Sequence, residues 1–550
     1  MIGILSFVGF TALVAIISYF ATRTTDESSS DGYFLGGRSL TAGVIAGSLL
    51  LTNLSTEQIV GLNGQSYTEG IVVMAWETLA AIAMVITAIF LLPRYLKGGI
   101  TTVPQFLKDR YDVTTKTLTS VLFLTGYVVV LLPTILYSGA LAISTMFDLP
   151  TMLGVSDGTA LNLSIWGIGI IGSIYAVFGG LKAVAVSDTI NAVGLLIGGL
   201  LIPVFGLMAI GDGSVFDGLD VLYQANPDKF DSTGEITNSV PFSTLFTGMM
   251  LINLFYWGTN QQIIQRALGA KNLAEGQKGL LLASFIKILG PLIVVLPGII
   301  AFHYFQGGLD MPDQAYPALV NAVLPKYLVG FFVAVLFGAI LSSFNSVLNS
   351  SVTLFGLDVY KQHINPEANE QTVVKYGKIF GIVLAVGAML IAPLISNAGS
   401  LFAYLQELNG IYTIPIFTII VVGYLTKRVP AIAAKIGIIA GVVLYCFSQF
   451  YLQPMFVDGA LEEAAASGIT DPDTLALIKA EAYPHFIHVM AILFVLNAAI
   501  MLVIGKIRPN EKPFELEYTN QVSIEPYKYV KQVGIAICLI VVALYIYFAK

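Results

Sequence analysis

Apolar runs of about twenty residues recur along this chain from end to end. Each is long enough to cross a hydrocarbon core of ~30 Å as a helix, the one open-ended structure that satisfies its own backbone in lipid. Fourteen candidate spans are read, at roughly 2–22, 40–62, 71–96, 117–147, 159–180, 184–210, 241–265, 279–305, 327–355, 373–394, 398–424, 430–451, 484–505 and 532–549. Only 11% of the 550 residues are charged and 56% are hydrophobic, too few charges to coat a water-facing globule. A soluble enzyme, a nucleic-acid-binding protein and a disordered scaffold are excluded, and an all-α polytopic membrane protein is expected. Residues 2–22 read as a retained first span, because a basic n-region and an A-x-A cleavage site are missing. Cys446 and Cys538 lie inside apolar runs and imply no disulfide framework, and the four histidines form no metal-binding cluster.

Loop charge tests the count independently, since cytoplasmic loops concentrate Lys and Arg. With fourteen spans, the odd-numbered loops hold 22 of the 27 basic residues, including Arg38, Arg94, Arg110, Lys182, Arg266, Lys361, Lys427 and Lys506. Even-numbered loops and the C-terminus hold Lys229, Lys326, Lys479 and Lys550, and Lys287 falls within a span. One miscounted helix would invert the pattern downstream, and no inversion occurs. Both termini are therefore expected outside. The loops 211–240 and 452–483 are acidic and read as solvated outer surface with short helical pieces.

Two spans are interrupted. Thr52-Asn53-Leu54-Ser55-Thr56-Glu57-Gln58 breaks the second and Tyr256-Trp257-Gly258-Thr259-Asn260-Gln261-Gln262 the seventh. Broken helices at matching places in two halves are the sequence mark of inverted-repeat transporters, whose sites lie at the midplane. Spans two to six and seven to eleven then form two five-helix units, each beginning with its broken helix. Because five is odd, the second unit starts from the opposite side of the membrane.

Ionisable residues inside spans cost ~2.5–3.5 kcal/mol even on the lenient insertion scale, so they usually face a cavity or a partner. Glu77 lies in span three, Lys287 in span eight, Asp188 near the inner end of span six, and Glu407 beside Gln406 in span eleven. Lys287 has a stem long enough to snorkel to the interface; Glu77 does not. The sharper reading lines a polar cavity with Glu77 and Lys287. Gln58, Asn253 and Gln406 supply further donors and acceptors for a polyhydroxylated solute, and Tyr256 and Trp257 offer flat faces to a sugar ring. With no nucleophile–base pair or metal-ligand set, this constellation suggests binding rather than catalysis.

A sodium ion is hard and takes neutral oxygens. The Ser342 and Ser343 hydroxyls and the Ala339 carbonyl in span nine would supply three, and the Leu51 and Leu54 carbonyls at the first break two more. Taken alone, Ser-Ser in a membrane helix is more often a small-residue packing contact.

With these residues in view, the chain resembles the sodium/solute symporters, and their bacterial sodium–galactose type closely. The resemblance rests on Tyr33–Leu40, Asn53–Gln58, Phe178–Ala183, Tyr256–Arg266, Ile340–Ser343 and Tyr404–Glu407, in order across about residues 30 to 450. It implies a LeuT-like inverted repeat of five plus five helices with extra helices at both ends. The units would be 1–39, repeat A at 40–210, an outer loop at 211–240, repeat B at 241–424, and three final helices in 425–550. Galactose would be held by Gln58, Glu77, Asn253, Lys287 and Gln406, with Tyr256 stacked on the sugar as inner gate. Sodium would be held by Leu51, Leu54, Ala339, Ser342 and Ser343, with Asp188 on its inward exit path. One departure is Ala80, where the galactose type carries a serine.

The function so implied is sodium-driven symport of a hexose across the cell (inner) membrane. Rival readings are a sodium symporter for another polar solute, such as an inositol, sialic acid or a nucleobase, and a sugar sensor that does not translocate. Neither nucleic acid nor an obligate protein partner is expected.

Overall fold

The computed structural model describes residues 29–309, 311–397 and 401–550, with a few positions between 9 and 20. The first candidate span lies almost entirely outside the described residues, and the side chains of 175–180 and 401–404 are likewise not described. Within what is described, the fold is all-helical, with one isolated backbone bridge that pairs Leu40 with Ala270. Nine helices among the described residues are long and apolar enough to cross a membrane, and Leu273–Ile288 with Pro291–Tyr304 makes a bent tenth. Their outward faces carry exposed Ile, Leu, Val and Phe, as lipid contact requires.

The expected first break is present. Helix Ala42–Asn53 ends where Leu54 N bonds Leu50 O, and helix Thr56–Glu69 starts where Gln58 N and Ile59 N bond Ser55 O. The second break separates Gly248–Gly258 from Gln261–Leu268, and the Asn260 side chain caps the new helix by accepting from Gln262 N. Tyr127 braces this junction, donating to Asn260 Oδ1 at 2.5 Å and accepting from Gln262 N at 3.2 Å. The inner ends of the two broken helices are tied by the Leu40–Ala270 bridge and by Arg38, which donates to Leu268 O at 3.4 Å and to Gly99 O at 2.8 Å.

Span eight, read as continuous over 279–305, is broken as well: it bends by 45° between Ile288 and Pro291. Gly290-Pro291 is the reason, since proline offers no backbone donor and clashes with the preceding turn. The span is interrupted again at Val295, between helices Pro291–Val294 and Leu296–Tyr304, where Pro297 brings no donor, and backbone groups freed there must find partners in lipid. Here Asn63 donates to Ile293 O and accepts from Gly298 N, while Ser66 donates to Val295 O.

Helix Asp157–Ile210 covers spans five and six. Gly172 lies against Phe344 and Asn191 against Gly338. Those two contacts sit about 9 Å apart along helix Lys326–Thr353, whereas 172 and 191 would be about 28 Å apart on a straight helix, so the helix is not one straight rod.

Charge counting assigned Arg266 to an inner loop, and the structure corrects this. Arg266 lies inside helix Gln261–Leu268 and is fully buried. Arg110 and Lys116 are also buried, Arg110 on the Gly423 and Val429 carbonyls and Lys116 on Asp358 at 2.8 Å. Each guanidinium or ammonium has found acceptors, which is what makes burial tolerable.

Candidate functional site

The two broken helices face each other across a cavity. The first break contributes Thr52, Asn53, Glu57 and Gln58 to its wall, and the second contributes Asn253, Tyr256, Trp257 and Asn260. Helix Leu401–Leu425 adds Gln406, Asn409 and Tyr412, and helix Lys326–Thr353 adds Ser343.

The polar groups of the wall are wired together. Asn53 Nδ2 donates to Gln58 Oε1 at 2.9 Å and to the Tyr256 hydroxyl at 3.3 Å. Gln58 Nε2 donates in turn to Glu77 Oε1 at 2.5 Å, and Glu77 Oε2 accepts from Lys287 Nζ. Glu77 is fully buried and Lys287 is 1% exposed, so Lys287 does not snorkel to the interface. The ammonium lies 5.6 Å from the centroid of the Trp257 ring, within cation–π range. The bend in span eight leaves room for this pair, because a Cβ at Gly290 would collide with Glu77 Oε2.

Of the residues expected to hold solute, Gln58, Asn253, Tyr256, Trp257 and Gln406 line the cavity directly. Glu77 and Lys287 stand one contact behind, bonded to Gln58 and packed beside Trp257. Asn253 also donates to Met249 O at 3.1 Å, within its own helix. Ala80 does not line the cavity and is 1% exposed, packed in the main apolar core one turn from Glu77. Sequence reasoning assigned no solute contact to Trp76, Asn409 or Tyr412, all on the wall. Their signal was position: Trp76 adjoins Glu77, and Asn409 and Tyr412 follow Gln406 at helical steps of three.

Of the expected sodium ligands, Ser343 Oγ donates to Thr52 O at 3.2 Å, which ties helix Lys326–Thr353 to the first break. Leu51, Leu54 and Ala339 are buried members of one large apolar cluster. Ser342 Oγ is buried beside the Asp188 carboxylate. Hydroxyls in so dry a place need polar partners, and a hard cation would be one.

From this point a polar chain runs from the first break to Asp188. Thr52 Oγ1 bonds Ser346 Oγ at 3.0 Å, and Ser346 Oγ accepts from Arg266. Arg266 Nε donates to Ser48 Oγ at 3.1 Å, and Ser48 donates to Asp188 Oδ2 at 2.6 Å. Arg266 Nη2 stands 3.9 Å from the same carboxylate oxygen. Asp188 is fully buried, held between Ser48, Ser342 and Arg266.

With this geometry in place, comparison with known proteins is direct. Residues 33–441 match the sodium:solute symporter family. An Escherichia coli protein described as an uncharacterized symporter, YidK, is 46% identical over 545 residues, covering 98% of this chain and 90% of that protein. The sodium/glucose cotransporter of Vibrio parahaemolyticus is 32% identical over 486 residues, covering 84% of this chain and 87% of that protein. Among solved structures, a substrate-bound, outward-open sodium-coupled sialic acid symporter superposes with a TM-score of 0.71 over 91% of this chain and 98% of that one. At 19% identity that likeness speaks to the fold alone.

Proposed function

This chain belongs to the sodium:solute symporter family, and from that we propose that it carries a hexose of the galactose or glucose type into the cell by sodium-coupled alternating access. Membership makes it a membrane transporter with sodium as the co-transported ion. The observation that carries the finer reading is the shared wall: Ser343, one of the serine pair and bonded to the first break, lines the same cavity as Gln58, Asn253, Tyr256, Trp257 and Gln406. Carboxylate, ammonium and amide groups beside two flat rings suit a ring of hydroxyls with an apolar face.

In this reading the Leu51, Leu54 and Ala339 carbonyls and the Ser342 and Ser343 hydroxyls hold sodium at the break. The ion fixes the break's shape, and the break presents Asn53 and Gln58 to the sugar. Tyr256, hydrogen-bonded to Asn53, closes the cavity inward, and Asp188 receives the ion on its way out. Moving one charge down 100 mV yields ~2.3 kcal/mol, enough to concentrate a neutral solute a few tens-fold. The architecture that serves this is fourteen spans in the inner membrane with both termini outside. Residues 40–210 and 241–424 are the inverted repeats, flanked by 1–39, the outer loop 211–240, and the final helices in 425–550.

A competition panel identifies the solute. Unlabelled galactose and glucose are expected to suppress sodium-driven uptake of labelled galactose, and myo-inositol and sialic acid to leave it intact. If inositol or sialic acid competes and glucose does not, the hexose assignment is wrong and the sodium site stands.

A further inference from the structure

Gln406, Asn409 and Tyr412 follow one another at three-residue steps on helix Leu401–Leu425, so they share a face, and all three line the cavity. Tyr412 is 2% exposed. Its ring meets Phe255 edge-on at 5.9 Å and occupies the space that Gly126 leaves by having no Cβ. The hydroxyl is thereby fixed, and it donates to Asn409 Oδ1 at 2.6 Å. An amide has one acceptor oxygen and one donor nitrogen, so engaging the oxygen of Asn409 turns its Nδ2 toward Gln406. There it donates to Gln406 Oε1 at 3.3 Å. With that oxygen engaged, Gln406 has N–H groups left to offer the cavity.

We propose that Tyr412 and Asn409 are a positioning relay that fixes Gln406 as a hydrogen-bond donor, so that the cavity selects an acceptor oxygen on the bound solute at that point. The inference rests on the reading of the cavity as a site for a hydroxylated solute. It assigns polarity to a contact: a hydroxyl satisfies a donor or an acceptor, a fluorine only a donor, and a hydrogen neither.

The test uses the full chain in proteoliposomes under an inward sodium gradient, with monodeoxy and monofluoro galactoses competing against labelled galactose. In the unmodified protein, one ring position is expected where deoxygenation weakens competition about tenfold or more, while fluorination holds it within about threefold. In Asn409→Asp both carboxylate oxygens accept, so Gln406 must turn its Nε2 toward residue 409 and its oxygen toward the cavity. At that same position the fluoro analogue then falls to the level of the deoxy analogue, read as a ratio at whatever galactose uptake the variant retains. Tyr412→Phe keeps the ring and frees the Asn409 amide to rotate. It is expected to narrow the gap between fluoro and deoxy analogues, raising KM with little change in maximal rate.

A purely structural role would lower uptake of galactose and every analogue in one proportion. An unchanged fluoro-over-deoxy preference in both variants overturns the relay. If the unmodified protein accumulates a different hydroxylated solute, the hexose reading falls, and the same deoxy and fluoro comparison is made on that solute. A protein that accumulates no hydroxylated solute overturns both.

Discussion

Lys287→Ala is expected to abolish solute accumulation and to lower thermal stability. Lys287 is 1% exposed and its ammonium bonds Glu77, which has no exposed surface. Removing one partner of a buried ion pair typically costs about 3–5 kcal/mol, because the remaining charge is left without compensation. The damage travels further, since Glu77 also accepts from Gln58, and Gln58 accepts from Asn53 at the first break. A second variant separates folding from function. Glu77→Gln combined with Lys287→Met removes both charges at similar volume, and is expected to recover most of the lost melting temperature but no accumulation. Thermal unfolding of purified protein and uptake in proteoliposomes read the two effects separately. Full accumulation by the double variant would show that the pair is structural filling and not part of the solute site.

Ser343→Ala is expected to raise the sodium concentration for half-maximal uptake about tenfold or more, the equivalent of ~1.4 kcal/mol for one lost oxygen. Ser343 Oγ sits on the carbonyl of Thr52, inside the break that the proposed ion would hold in shape. Its neighbour Ser342 Oγ is buried beside the Asp188 carboxylate, so the pair offers a cation oxygen ligands in a dry setting. Solute affinity at saturating sodium is expected to change little, because the Asn53–Gln58–Glu77 bonds of the wall do not run through Ser343. A titration of uptake rate against sodium checks this, and an unchanged half-maximal concentration would place the ion elsewhere.

The elements that carry the account differ in how far the sequence disclosed them. Both polar breaks were visible because Asn53-Leu54-Ser55-Thr56 and Thr259-Asn260-Gln261-Gln262 have no business against lipid. The third break was equally visible in Gly290-Pro291, yet an apolar run of the right length concealed it, since hydropathy does not register a missing backbone donor. Arg266 was misplaced for a related reason. Charge counting treats a basic residue near a span end as a loop residue, and only the fold brings Ser48, Ser346 and Asp188 around it. Individual residues such as Gln58, Lys287 and Ser343 stood out as polar groups at depth, but the wiring between them is a property of packing. That Gln58 binds Glu77, or that Tyr412 orients Asn409, depends on helices brought together from far apart in the chain or on side-chain rotamers, and neither is written in local spacing.

The most direct test of coupled symport is uptake of radiolabelled galactose into proteoliposomes, with and without an inward sodium gradient. The account predicts transient accumulation above equilibrium when the gradient is present, and none when sodium is equal on both sides or replaced by potassium. Saturable galactose binding with no accumulation under any sodium gradient would contradict it, and would make this chain a receptor for the sugar rather than its carrier.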